Sequence, residues 1–370
     1  MFYLYRFVTN INFQKQKISC DDPNGHHIIH QNELLCGRYR TIKLLGQGTF
    51  GKVIQAVDIY RNCTVAIKIG RATERYRLAS KWEAHILNEL KEHDPSNLHR
   101  CIHLLRFFTF QNHVCLIFEI LGMSLYAFLK SNNFIPFPAS HLQSIARQLL
   151  DCVAFIHGLQ VIHTDIKPEN ILLVNDTYTI SHTTNPAQNV VQRILNSTTI
   201  RLIDFGSATQ GTSHHRYPAS TRQYRAPEMI LGLGWSYPLD LYSVGCVLVE
   251  LFTGRTLFQA AEDLEHLAMM EAVTGKMKKS FALKGANSRP TFFREDGFID
   301  WPNSKTTTFQ KEKLASLPHI TGIIPADDTP RVALQDMVQQ LLDFDPIRRM
   351  TAEMALSCRY FSMDIQEGTE

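Results

Sequence analysis

The eight cysteines of this chain, at 20, 36, 63, 101, 115, 152, 246 and 358, include no C-x-x-C pair and no metal-ligand spacing. They sit mostly among apolar neighbours, which reads as reduced thiols in an intracellular protein and not as a disulfide framework. No run approaches the ~18 consecutive apolar residues of a membrane-crossing helix, so nothing is expected to span a membrane. Charge of one sign is also missing. The 38 Lys and Arg residues against 35 Asp and Glu leave a formal charge of +3, too small to imply direct binding to nucleic acid or a membrane surface. The opening MFYLYRFVTNINF has neither a basic segment before its apolar run nor a small-residue cleavage site, so it does not read as a signal peptide. Residues 1–20 read instead as a loosely attached arm or a wrongly chosen start. Internal repeats are absent.

What is there can fill one large core or two modest ones: 370 residues, 44% hydrophobic and 20% charged. Residues 1–34 show little periodicity and carry the turn-prone DDPNG at 21–25, and read as a leader of low order. From Arg38 short alternating runs begin: YRTIKLLG, GKVIQAVDI, CTVAIKIG, then IHLLRFFTF and HVCLIFEI. They predict five strands of one sheet. Between the third and fourth, LASKWEAHILNELKEHD places apolar residues at 82, 86, 87 and 90, the spacing of a helix packed on that sheet. A mostly β domain over 35–121 is the expectation.

After Gly122 the segments LYAFLKSN, ASHLQSIARQLLDCVAFIHGL, LDLYSVGCVLVELFTG, LEHLAMMEAVTG and RVALQDMVQQLLDF have helical spacing. They predict a larger, mainly helical domain over 122–361, followed by a tail over 362–370, in an α+β chain. Residues 175–199 and 276–328 lack a core pattern and read as insertion loops.

Two motifs carry phosphate chemistry. LGQGTFGKV at 45–53 contains Gly46, Gln47, Gly48, Thr49, Phe50 and Gly51. Glycine lets backbone N–H groups approach phosphate oxygens because no Cβ intervenes. These glycines lie between two strand patterns, whereas a dinucleotide fingerprint lies between strand and helix, so the context favours a flap over nucleotide phosphates. VAIK at 65–68 follows, with Lys68 as a cation for the α- and β-phosphates and Glu83 on the helix as its ion-pair partner. The second motif is HTDIKPEN at 163–170. Asp165 is placed to accept or orient the proton of an attacking hydroxyl, Lys167 to steady the transferring phosphoryl group, and Asn170 to ligate magnesium. DFG at 204–206 adds Asp204 as the second magnesium ligand, and APE at 226–228 supplies Glu228, with Arg349 as its ion-pair partner. Asp240 is expected to hold the catalytic-loop backbone.

This order of motifs resembles the eukaryotic protein kinases from about Tyr39 to Phe361. HTDIKPEN, DFGSAT, STRQYRAPE, GLGWSYPLD and above all EHLAMME at 265–271 resemble the narrower LAMMER, or CDC-like, dual-specificity kinases. The resemblance implies the two-lobed kinase fold and Mg2+ and ATP as cofactors. It also implies a hinge at Glu119 to Leu121 behind a gatekeeper, Phe118, and an adenine ring held between Val53, Ala66 and Leu172. It further implies Arg/Ser-rich splicing proteins as substrates, phosphorylated on Ser or Thr, and autophosphorylation on Tyr rests on the resemblance alone. A monomer in the nucleus, the cytoplasm or both is expected.

Thr164 stands where kinases commonly carry an arginine that pairs with a phosphorylated activation segment. Threonine removes both that sensor and the cost of a partly buried cation without a partner. The sequence therefore predicts a segment that orders without phosphorylation. Glu169, beside the catalytic aspartate, is a candidate partner for a substrate arginine, or else a solvated loop charge. Ala272, Tyr242 and Gln223 depart from the family's arginine, tryptophan and histidine. A catalytically silent scaffold is the competing reading, and it commonly shows as a lost member of the set Lys68, Asp165, Asn170 and Asp204. All four are present.

Overall fold

The computed structural model describes residues 20–182, 191–211 and 220–365. Residues 1–19 of the expected leader, 183–190 of the first insertion, 212–219 after the DFG motif and 366–370 of the tail lie outside them. Packing divides the chain into two compact units, residues 1–78 with 107–117, and residues 79–106 with 118–370. Most of the first long helix and Phe118–Leu121 belong to the second of these packing units.

The chain opens with β1 (Leu34–Leu35), β2 (Tyr39–Gln47), β3 (Gly51–Asp58), β4 (Cys63–Gly70), α1 (Glu74–His93), β5 (Arg106–Phe110) and β6 (His113–Glu119). Among the described residues the strands form a six-stranded sheet in the order β1-β2-β3-β4-β6-β5, one more than the five expected. The addition, β1, is two residues long, too short to show any alternation. Burial alternates from Val53 to Asp58 in β3 and from Thr64 to Ile69 in β4. Ile54, Ala56, Val65, Ile67 and Ile69 enter a core with Leu35, Tyr39, Cys115 and Ile117, while Val53, Ala66 and Lys68 take the other, partly open face. Phe108 stacks on Tyr39 at 5.5 Å.

Residues 20–33 depart from the low order read in the sequence. Asp21 bridges to His27 as an antiparallel pair, Ala72 N donates to Gly25 O at 2.9 Å, and Arg71 Nε donates to Asn24 O at 2.7 Å. The turn-prone DDPNG is the bend of a strap laid on the first unit.

The second unit continues with α2 (Leu125–Ser131), α3 (Ala139–Gly158), β7 (Val161–Ile162), β8 (Ile171–Leu173), β9 (Tyr178–His182), β10 (Val191–Leu195), β11 (Ile200–Leu202), β12 (Thr209–Gln210) and α4 (Pro227–Ile230). It ends with α5 (Pro238–Thr253), α6 (Asp263–Thr274), α7 (Lys279–Ser288), α8 (Thr308–Ala315), α9 (Ile320–Ile323), α10 (Thr329–Leu341) and α11 (Ala352–Leu356). α5 starts on a proline at its first position and is buried continuously from Leu239 to Leu251, so other elements surround it. Asp240, Ser243 and Glu250, buried along it, each have hydrogen-bond partners. Such pairing is what burial of polar groups demands.

Both insertion loops acquire structure. The described ends of 175–199 form a hairpin of β9 and β10, with Ile180 opposite Arg193. The Asn132 side chain serves that hairpin as a partner, donating to Arg193 O at 3.2 Å and accepting from Arg193 N at 2.8 Å. Within 276–328, α7 buries Phe281, Ala282 and Gly285, and α8 begins with a reciprocal Thr307–Gln310 cap.

Candidate active site

In the first unit the three glycines of the 45–53 motif have different reasons to be glycine. A Cβ on Gly46 or Gly48 would meet nothing within 4 Å, whereas one on Gly51 would lie 2.1 Å from Ile69 O. Gly51 thus lets β3 pass close to β4, and the open backbone belongs to Gly46 and Gly48. Gly48 N donates to Gly51 O at 2.9 Å and closes the tip. Gln47, Thr49 and Phe50 complete it, and the Lys68 ammonium stands 5.9 Å from the centre of the Phe50 ring. The β3–β4 register sets Val53 opposite Lys68 and Gln55 opposite Ala66. Those pairs give one face an apolar surface next to a cation.

In the second unit Asp165 is the centre of a compact set. Its Oδ2 accepts from Lys167 Nζ at 2.6 Å, and its Oδ1 accepts from Thr221 Oγ1 at 2.5 Å and Thr221 N at 3.0 Å. Lys167 Nζ also donates to Thr221 Oγ1 at 2.8 Å. Asn170 spends its amide N–H groups on Asp165, 2.9 Å from the carbonyl oxygen and 3.3 Å from Oδ2. Its own carbonyl oxygen is thereby the group offered to a cation. Asp204 follows β11 with φ 63°, a left-handed conformation uncommon outside glycine that sets its direction relative to Phe205. A carboxylate and an amide oxygen are the hard donors that magnesium prefers, so the residues present fit that ion.

The loop is held from beneath. Asp240, fully buried on α5, accepts from His163 N at 2.8 Å, Thr164 N at 2.9 Å and His157 Nε2 at 3.0 Å. His163 Nε2 donates to Ile203 O at 2.9 Å, which leaves Nδ1 to accept from Asp165 N at 3.2 Å and fixes the tautomer. Thr164 is buried with φ 72°, and its Oγ1 lies 3.1 Å from both oxygens of Ser207. Glu228 and Arg349 form a buried double hydrogen bond at 2.7 and 2.8 Å.

Phe118, Glu119, Leu121 and Leu172 are half-buried in the same unit, where Gly122 N donates to Leu173 O at 2.9 Å and Ser124 pairs with Leu172. Glu119 Oε1 lies 3.5 Å from Arg201 Nε. Glu83 is buried on α1, and two neighbours on that helix are tied to the segment after the DFG motif. Trp82 Nε1 donates to Ala208 O at 2.8 Å, and Gln210 Nε2 donates to Glu89 at 2.8 Å. Trp82, expected on the buried stripe, is 39% exposed.

Sequence reasoning missed two members of this neighbourhood. Thr221 was legible only as a hydroxyl residue in STRQYRAPE. Glu250 gave no signal inside an apolar helix, yet it accepts from Tyr224 Oη at 2.7 Å. Burial raises both groups, and repulsion from nearby Glu169 adds to each rise. Glu169 itself is exposed.

The carboxylate, lysine, threonine and asparagine of the second unit are the grouping with which kinases handle a hydroxyl and a phosphoryl group. A family model described as the protein kinase domain matches residues 39–361. The dual specificity protein kinase lkh1 of Schizosaccharomyces pombe is 45% identical over 350 residues, 94% of this chain and 50% of that protein. The serine/threonine-protein kinase AFC2 of Arabidopsis thaliana is 43% identical over 347 residues, covering 92% of this chain and 81% of that one. The human dual specificity protein kinase CLK2 is 38% identical over 344 residues, covering 92% and 67%. A crystal structure of a kinase domain matches with a TM-score of 0.84 at 30% identity, over 92% of this chain and 100% of that one. The chain belongs to the protein kinase family, in its LAMMER or CDC-like branch. It spans half the length of the fission-yeast relative.

Proposed function

We propose that this chain is an active kinase that transfers the γ-phosphate of ATP to serine or threonine hydroxyls of Arg/Ser-rich proteins, splicing proteins among them, and that it phosphorylates its own tyrosines. The observation that carries the catalytic part is the Asp165–Lys167–Thr221 set. A carboxylate within reach of an incoming hydroxyl takes or orients its proton as the oxygen attacks the γ-phosphorus and the bond to ADP breaks. Lys167, 2.6 Å from that carboxylate, sets a positive charge where the phosphoryl group passes. On this reading Gly46, Gly48 and Lys68 bind phosphate, Val53, Ala66 and Leu172 face the adenine, and Glu119 to Leu121 offer it backbone hydrogen bonds. Asn170 and Asp204 would hold magnesium, which when bound neutralises phosphate charge.

Preference for arginine near the phosphorylated serine is supported by Glu169, exposed beside Asp165 and near enough to Tyr224 and Glu250 to raise both. The chain acts as a monomer, in the nucleus, the cytoplasm or both. Transfer from Mg-ATP to an Arg-Ser repeat peptide and to an arginine-free Ser-Pro peptide tests this, with phosphatase-treated protein and Asp165→Asn as the blank. Preference for the Arg-Ser peptide is expected. Equal use of the Ser-Pro peptide would remove the substrate assignment, and transfer no higher than the blank would make the chain a scaffold.

A further inference from the structure

The first unit holds a group of side chains with no part in phosphate transfer. Cys20, Asp21, His27 and His113 each offer one donor atom, and all four atoms lie within 4.8 Å of one another. Cys20 and Asp21 are half-buried and the two histidines are buried. Asp21 Oδ1 lies 3.3 Å from Cys20 Sγ and 2.8 Å from His113 Nε2.

Each histidine has its second nitrogen engaged in the way a metal ligand requires. His113 Nδ1 stands 2.7 Å from Gly70 O, and a carbonyl can only accept, so Nδ1 carries a proton and Nε2, which faces Asp21 Oδ1, is the nitrogen a metal ion would take in exchange for the proton shared there. His27 Nε2 lies 3.3 Å from both carboxylate oxygens of Glu33, whereas its buried Nδ1 has no hydrogen-bond partner at all. With the proton on Nε2, Nδ1 presents a lone pair that no donor meets. Metal-bound histidines commonly give their other N–H to a backbone carbonyl or a carboxylate, which fixes the ring and raises its basicity. This site has one of each.

We infer that Cys20, Asp21, His27 and His113 form a closed, four-coordinate site for one zinc ion. A thiolate, a carboxylate and two imidazoles are a tetrahedral zinc set, whereas calcium and magnesium require shells made of oxygen. Ligands about 2.0–2.3 Å from the ion stand roughly 3.3–3.8 Å apart in a tetrahedron, so the widest pair closes by about 1 Å on binding. Three of the four ligands ride on the 20–27 strap, which supplies that movement.

The ion would pin the strap to β6, and the strap reaches the glycine motif. Lys52 Nζ donates to His27 O at 2.9 Å, and Arg71 donates both to Asn24 O and, at 3.4 Å, to Thr49 O. Zinc here is a clasp on the strap.

The test uses the full chain, stripped with a chelator and titrated with cobalt(II), then zinc. One equivalent of cobalt is expected to give an intense tetrahedral visible spectrum with a sulfur-to-cobalt charge-transfer band, and zinc is expected to abolish both. Cys20→Ser, at a half-buried position of the strap, should remove the charge-transfer band. Glu33→Gln should keep the spectrum but weaken zinc binding by about 10- to 100-fold. No stoichiometric tetrahedral spectrum would overturn the site, leaving a hydrogen-bonded Asp21–His113 pair. Binding unchanged in both Cys20→Ser and His27→Ala would overturn it as well, by assigning the metal to other thiols.

Discussion

The Thr164 hydroxyl donates to the Ser207 carbonyl at 3.1 Å, tying the catalytic loop to the residue that follows the DFG motif. The position thus has an internal partner where an arginine would require a phosphate. Protein treated with phosphatase is expected to keep most of its activity, measured as initial rate on an Arg-Ser peptide before and after treatment. Thr164→Arg should destabilise the fold by about 3–5 kcal/mol in urea unfolding, because it buries a cation with no partner.

Asp165→Asn keeps the shape of the side chain and removes its charge. The rate of transfer should fall by about 10²- to 10⁴-fold, the range for losing a general base. Circular dichroism and Tm should stay close to those of the parent, which separates the effect from unfolding.

The Glu228–Arg349 pair is buried on both sides and doubly bonded. Arg349→Met leaves an uncompensated carboxylate and should cost about 3–5 kcal/mol of stability. Adding Glu228→Gln to the same chain should recover part of that loss. Urea unfolding of both singles and the double variant measures the coupling.

His266 on α6 is fully buried, and neither ring nitrogen has a partner. Burial first, then the Arg222 and Arg225 charges, push its pKa down to about 3. A histidine with a folded pKa below its unfolded value of about 6.5 takes up its proton on unfolding. Its contribution is therefore complete above pH 6.5 and is lost as pH falls toward 3, by up to about 1.4 kcal/mol per pH unit. His266→Gln should flatten stability against pH over that window, measured by denaturant unfolding from pH 7 to pH 4.

Glu169→Ala should raise KM for an Arg-Ser peptide by up to about fivefold, the worth of an exposed ion pair, and leave KM for an arginine-free peptide unchanged. An equal change on both peptides would assign Glu169 to the loop's own structure.

Local signals made the strands of the glycine motif and the catalytic loop legible. Eight consecutive residues, HTDIKPEN, carry Asp165, Lys167 and Asn170 together, and alternation alone separates Ile54 from Val53. What the sequence hid depends on residues far apart. The β9–β10 hairpin exposes Ile180 and Val191, so it has no apolar face to read, and it is fastened by Asn132 from another element. Thr221 reaches Asp165 across 56 positions. The four residues of the proposed zinc site could not be read from cysteine spacing, because His113 lies on a strand 92 residues beyond Asp21.

Asp240 receives the backbone of His163 and Thr164 across 77 and 76 residues of chain. During synthesis at about 5–20 residues per second, the catalytic loop exists for about 4–15 s before its anchor has been made. Through that interval its two N–H groups have only water to bond. The loop acquires its working shape when α5 arrives, so the nascent protein contains every catalytic side chain well before it contains a catalyst.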